Sequence, residues 1–246
     1  MAAPQGTAIV VGVGSEQGLG AALSRRFARE GYNVIVSGRT EAKLARVVRS
    51  IIDDGGKAEA VVADATIEAN VVALFDRAET GSADGLDLVV FNAGNNAPHD
   101  FRSMPAEFFE QTWRIATLGG FLVGREAARR LAPRARGTVI FTGATASLRG
   151  RPPFTAFASA KAGLRSLAQS MAREFGPLGI HVGHIVIDGG IDGERLNAAA
   201  PQLRINRGTD GLLNIDAIAE AYWHLHRQHP SAWTHELDLR PFKEPF

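Results

Sequence analysis

The chain has 246 residues, 45% of them hydrophobic, enough to bury one substantial core. Twenty-seven basic residues against 26 acidic ones leave a formal net charge of +1, and the arginines are scattered, so nothing points to a nucleic acid or another polyanion. The absence of cysteine excludes disulfides, thiolate chemistry and Cys-ligated metals. The start, MAAPQGTAIVVG, has no basic stretch ahead of an apolar run too short to span a bilayer, so a soluble cytoplasmic protein is expected.

In chain order, apolar runs alternate with helical patterns. TAIVVGV (7 to 13) is β-branched and broken by glycine, as a buried parallel strand is. Residues 18 to 30 carry Leu19, Ala22, Leu23 and Phe27 at helical spacing. NVIVSG (33 to 38) predicts a strand, and Leu44, Val47, Val48, Ile51 and Ile52 give the following helix an apolar stripe. AEAVVAD (58 to 64) and LDLVVFN (86 to 92) read as buried strands around a helix near 68 to 79. Pro105 opens a long helix running to Leu131. GTVIFTG (137 to 143) is a strand, and 156 to 175 a helix with Leu164, Leu167, Met171 and Phe175 on one stripe. GIHVGHIVI (179 to 187), a helix from about 216 to 228 and a strand in THELDLR complete the pattern.

This alternation predicts one α/β domain over 1 to 246, a doubly wound, mostly parallel seven-stranded sheet. The least regular stretch, 189 to 214, leaves the carboxyl end of a strand, where ligands bind in such sheets. It is a candidate substrate loop or lid.

GSEQGLG follows the first strand directly. A glycine-rich loop there lets backbone approach a pyrophosphate while the next helix turns its N-terminus to the charge. Gly14, Ser15, Gln17, Gly18, Leu19 and Gly20 are therefore candidate cofactor residues. The second strand ends in Gly38-Arg39, where sites that prefer NAD usually carry a carboxylate for the ribose 2′-hydroxyl. A guanidinium in its place suits a 2′-phosphate, so NADP(H) is favoured over NAD(H). Glu16, if turned inward, opposes that preference.

Together with Asp64 after the third strand, the Asn92-Ala93-Gly94 triplet and the FASAK stretch ending at Lys161, the loop gives the chain its family resemblance. Along almost its full length the chain resembles the short-chain dehydrogenases/reductases. The resemblance implies a nicotinamide-dependent oxidoreductase acting on a small molecule, with Asp64 and Ala65 at the adenine and Asn92, Ala93 and Gly94 walling the cofactor. It also implies Lys161 on the nicotinamide ribose, Gly189 and Ile191 near the cofactor's other end, and a homodimer or homotetramer built on helices 105 to 131 and 156 to 175.

The chemistry of the family rests on Asn, Ser, Tyr and Lys. Here only Lys161 remains: Phe157 stands at the Tyr position, Ala144 at the Ser and Ala116 at the Asn. Asp188 replaces a proline at the nicotinamide end, and Gly193 a threonine. Phe keeps the shape of Tyr and loses its proton. Thr145, beside Ala144, and Asp188 are the candidate stand-ins, with Thr142 and Thr117 as weaker ones. The seven histidines are not at metal-ligand spacing, so no metal site is expected.

Two functions follow from this pattern. The first is an oxidoreductase whose substrate, an imine, iminium or activated alkene, needs no strong proton donor. The second is a non-catalytic NADP(H)-binding sensor or scaffold. A hydride-free lyase or isomerase using Asp188 as base is a third, more distant reading.

Overall fold

The computed structural model describes residues 6–80 and 85–244. Strands β1 (Thr7–Val11), β2 (Asn33–Gly38), β3 (Lys57–Val62), β4 (Leu86–Phe91), β5 (Thr138–Thr142), β6 (His181–Ile187) and β9 (Glu236–Leu239) form one sheet. Its order is β3-β2-β1-β4-β5-β6-β9, and every pairing is parallel. The order reverses between β1 and β4, so the ligand crevice lies at the carboxyl ends of those two strands.

Near-continuous apolar strands are what a sheet covered on both faces requires. In β1, Ala8 and Val10 face one core while Ile9 and Val11 face the other. The first core is closed by α1 (Leu19–Arg29), α2 (Glu41–Asp53) and α9 (Ile215–His226), through Leu23, Phe27, Leu44, Val47, Ile218 and Tyr222. The second is closed by α3 (Glu68–Thr80), α5 (Gly119–Leu131) and α6 (Thr155–Phe175), through Leu74, Phe75, Val123, Leu131 and Leu164.

Three details differ from the sequence reading. AEAVVAD is an edge strand, paired only to β2 and mostly half-exposed, so its alternating Glu59 meets solvent and pairs with Arg77. The helix from Pro105 is not continuous: α4 (Ala106–Trp113) passes through a π turn at Arg114–Leu118 into α5. The stretch 189 to 214 is not irregular but holds β7 (Ile191–Asp192), α7 (Glu194–Ala199), α8 (Pro201–Arg207) and β8 (Leu213–Asn214), with β7 and β8 pairing as a small parallel sheet. The ending ELDLRPFKEPF, whose aromatic and proline residues suggest a subunit contact by sequence, is described only as far as residue 244.

Three histidines are buried as structural groups. His226 bonds Tyr32 Oη and Thr138 Oγ1, each at 2.8 Å, His181 bonds the Thr234 carbonyl, and His184 bonds Glu236 at 2.9 Å. Burial lowers the pKa of all three. His184, flanked also by Lys161 and Arg165, falls to about 4 although Glu236 opposes the shift. With folded values below the unfolded 6.5, the unfolded chain takes up more protons as pH falls through that window, so folding weakens. Thermal midpoints are expected to fall steadily between pH 6.5 and 4, and less steeply in His184→Gln. A flat profile across that range would contradict the neutral, buried state of these rings.

Candidate active site

The glycine loop between β1 and α1 has the geometry of a phosphate cradle. No side chain caps α1, whose N-cap is the extended Gly18, and its first turn carries no acid. A side chain at Gly14 would enter open space, since no heavy atom lies within 4 Å of its Cβ direction. Before the loop, Gly12 has φ +91°, and a Cβ there would stand 2.5 Å from the Ala93 nitrogen; β1 and β4 part at this point with no room for a side chain. Asn92 donates from Nδ2 to the Gly12 carbonyl at 3.2 Å, which ties the triplet after β4 to the loop.

At the other end of the loop, Gly38 closes β2 against β1. A Cβ at 38 would lie 2.4 Å from the Val13 carbonyl oxygen, so this backbone has no space for a carboxylate side chain at that position. Arg39 beside it is exposed. Asp64 accepts both the backbone N–H and the hydroxyl of Thr66, at 2.8 and 2.7 Å. Burial pushes its pKa up, but those bonds and the charges of Arg39 and Arg114 bring it below the ordinary range. Ala65 follows against Gly119. Glu16 is half-buried and borders a surface groove with Arg46 and Arg49.

The chemical end gathers at the carboxyl ends of β4, β5 and β6. Gly94 sits against Lys161, with Phe157 one contact further. Lys161 is 3% exposed and donates from Nζ to the Thr142 carbonyl at 2.7 Å, with the Phe157 ring centroid 5.8 Å away. Loss of hydration lowers its pKa to about 8. Ala144 is extended, and its N–H donates to Ser147 Oγ. Ala116 is fully buried within the π turn, and the next residue, Thr117, donates its hydroxyl to the carbonyl of Ala160, just before Lys161. Both weaker stand-ins are thus engaged elsewhere: Thr117 by that bond, and Thr142 through a hydroxyl bonded to Tyr222 on the opposite face of the sheet. Tyr222 is completely buried, so it does not fill the place Phe157 leaves.

Asp188 and Thr145 are brought together. Thr145 Oγ1 donates to Asp188 Oδ1 at 2.6 Å, and the carboxylate, 5% exposed, has Arg149 at 3.4 Å and Arg240 at 3.7 Å. The two arginines escape a reading by motif, but register points to one of them. Because Ile187 pairs with Leu239, the residues that follow, Asp188 and Arg240, leave the sheet side by side.

The 189 to 214 segment spans the crevice. The Glu194 N–H bonds the Gln17 carbonyl at 2.9 Å, and Arg195 bonds Asn95 Oδ1 at 2.9 Å, so α7 touches the glycine loop on one side and the segment after β4 on the other. Gly193 permits this approach, since a Cβ there would meet the Gln17 oxygen at 2.8 Å. Gly189 leads out of β6 against Pro241, and Ile191 begins β7.

Residues 7–202 match the short chain dehydrogenase family profile. The 3beta-hydroxysteroid dehydrogenase 1 of Eggerthella lenta is 37% identical over 180 residues, 72% of this chain and 68% of that protein. A short-chain dehydrogenase from Rhodopseudomonas palustris, known as a crystal structure, is 38% identical and superposes with a TM-score of 0.82, covering 96% of this chain and 99% of that one. The NADPH complex of an actinorhodin polyketide ketoreductase variant, 19% identical with a TM-score of 0.88, shares the fold over 100% of both chains. The chain belongs to the short-chain dehydrogenase family of oxidoreductases.

Among the described residues no helix is long and apolar enough to cross a membrane, and no group of His, Cys, Asp or Glu is arranged to hold a metal ion.

Proposed function

We propose that the protein is an NADP(H)-preferring oxidoreductase that reduces a carbon–nitrogen double bond or an activated alkene rather than a plain ketone. The observation that carries this reading is the buried Lys161 packed beneath the Phe157 ring, with methyl groups at 144 and 116 where the family keeps polar side chains. A ketone accepting hydride becomes an alkoxide, and general-acid help with that charge is worth ~10²–10⁴-fold. An iminium already carries the positive charge that hydride cancels, so the loss of a donor costs it little.

In this reading Gly14, Ser15, Gln17, Gly18, Leu19 and Gly20 cradle the pyrophosphate, and Asp64 and Ala65 border the adenine. Asn92, Ala93 and Gly94 form the wall, Lys161 holds the nicotinamide ribose, and Gly189 and Ile191 border the carboxamide end. When bound, the nicotinamide supplies the hydride. Segment 189 to 214 acts as the lid, resting on Gln17 and Asn95. Phe109, Trp113 and Phe121, each about 40% exposed on α4 and α5, support assembly of copies through that face.

Purified protein with NADPH and a panel of imines, enones and ketones tests the reading. Oxidation of NADPH by imines or enones ahead of ketones is expected. Tight NADPH binding with no turnover of any of them would favour the sensor instead. For the cofactor preference, the exposed Arg39 and the absence of space at Gly38 support a 2′-phosphate. Arg39→Ala is expected to weaken NADPH binding about tenfold (about 1.4 kcal/mol) and leave NADH binding nearly unchanged. Equal losses for the two cofactors would count against that assignment.

A further inference from the structure

The polar group next to the missing serine has the opposite hydrogen-bonding sense to the one it replaces. Thr145 Oγ1 gives its single proton to Asp188 Oδ1 at 2.6 Å. An ionised carboxylate only accepts, so this proton is committed inward. Thr145 is half-buried, and what its hydroxyl has left to offer is lone pairs. Arg149 and Arg240, at 3.4 and 3.7 Å, balance the charge of the buried Asp188. Both arginine contacts to the carboxylate are longer than the hydroxyl bond, and the Arg149 side chain is 38% exposed and screened by solvent, so the hydroxyl is the carboxylate's shortest contact.

A carbonyl oxygen set against such a group meets acceptor with acceptor, and a desolvated oxygen left unpaired costs about 1–3 kcal/mol. An N–H in the same place is paired. From this we infer that the substrate is a protonated imine whose N–H is held by Thr145 Oγ1, with Asp188 as the positioning residue behind it. The inference rests on the oxidoreductase reading and chooses between its two substrate classes, since an alkene activated by a carbonyl brings another acceptor. The reaction balances without a proton transfer. Hydride adds to the imine carbon, the C=N π pair moves to nitrogen and cancels its charge, and the N–H remains bonded to Thr145 throughout.

The test is calorimetric binding to protein saturated with NADP⁺, comparing pyrrolidinium with cyclopentanone, rings of equal size offering a donor or only an acceptor. Pyrrolidinium is expected to bind at least about tenfold tighter, a difference of about 1.4 kcal/mol. Thr145→Val is expected to bring the ratio near one, Thr145→Ser to keep it, and Asp188→Asn to reduce it. Equal or tighter binding of cyclopentanone, undetectable binding of pyrrolidinium, or an unchanged ratio in Thr145→Val overturns the inference. Hydride transfer from NADPH to a cyclic imine is read separately. Its absence with the amine preference intact counts against the oxidoreductase reading alone. Turnover of enones or ketones without an amine preference counts against this inference alone.

Discussion

Phe157→Tyr combined with Ala144→Ser is expected to raise ketone reduction by at least about 10²-fold, the lower bound for restoring a positioned general acid. The physical basis is already in place. Lys161 lies beside position 157, and its ammonium is 5.8 Å from the centre of the ring that would carry the new hydroxyl. A cation there favours the phenolate form and so brings the hydroxyl nearer to working pH. Ala144 is extended and half-buried at the carboxyl end of β5, so a serine hydroxyl there needs no backbone change. Neither single change suffices, because one supplies the proton and the other aims the oxygen. Initial rates of NADPH oxidation with a set of simple ketones check the expectation. A double variant that binds NADPH normally yet gains nothing would mean that the pocket around these positions has diverged too.

Gly12→Ala is expected to destabilise the fold by about 3 kcal/mol, combining the strain of a side chain at φ +91° with forced overpacking. A methyl there would sit 2.5 Å from the Ala93 nitrogen and 2.7 Å from its Cα, both backbone atoms that cannot swing aside. For a chain of this size that corresponds to a fall of roughly 10 °C in Tm, measurable by circular dichroism. Gly14→Ala is the matched control: nothing lies within 4 Å of its Cβ and its φ is ordinary, so its Tm should move by no more than about 2 °C. Equal shifts for the two would show that the separation of β1 and β4 is not what fixes Gly12.

Local pattern carried most of the architecture. NVIVSG is β2 to the residue, and the glycine loop stands between β1 and α1, because strand and helix periods and turn glycines are properties of adjacent residues. Phe157 and Ala144 are placed in the sequence by their spacing from Lys161, and Ala116 by its spacing from Gly119, so that mapping also rests on neighbouring residues. What escaped is set by distant parts of the chain. The half-exposure of β3 follows from its place at the sheet edge, which no residue within it announces. The acceptance of the Lys161 proton by the Thr142 carbonyl, and the grouping of Thr145, Arg149 and Arg240 around Asp188, depend on which strands are neighbours. The π turn has no composition of its own: RIATL would continue an α-helix, and packing against α6 holds it wide.

That widened turn also sets an angular phase. Each residue of an α-helix advances about 100° around its axis, so an extra residue accommodated at 114–118 rotates all of α5 relative to α4 by that amount. In the present phase Gly120 meets Leu164 and Gly124 meets Met171, while Arg125 pairs with Glu68 and the exposed Arg129 pairs with the buried Glu126. A deletion of one residue within 114–118 would dial the glycine face away from α6 and turn charged side chains toward the sheet. The turn around Ala116 is the gear that times the helix after it.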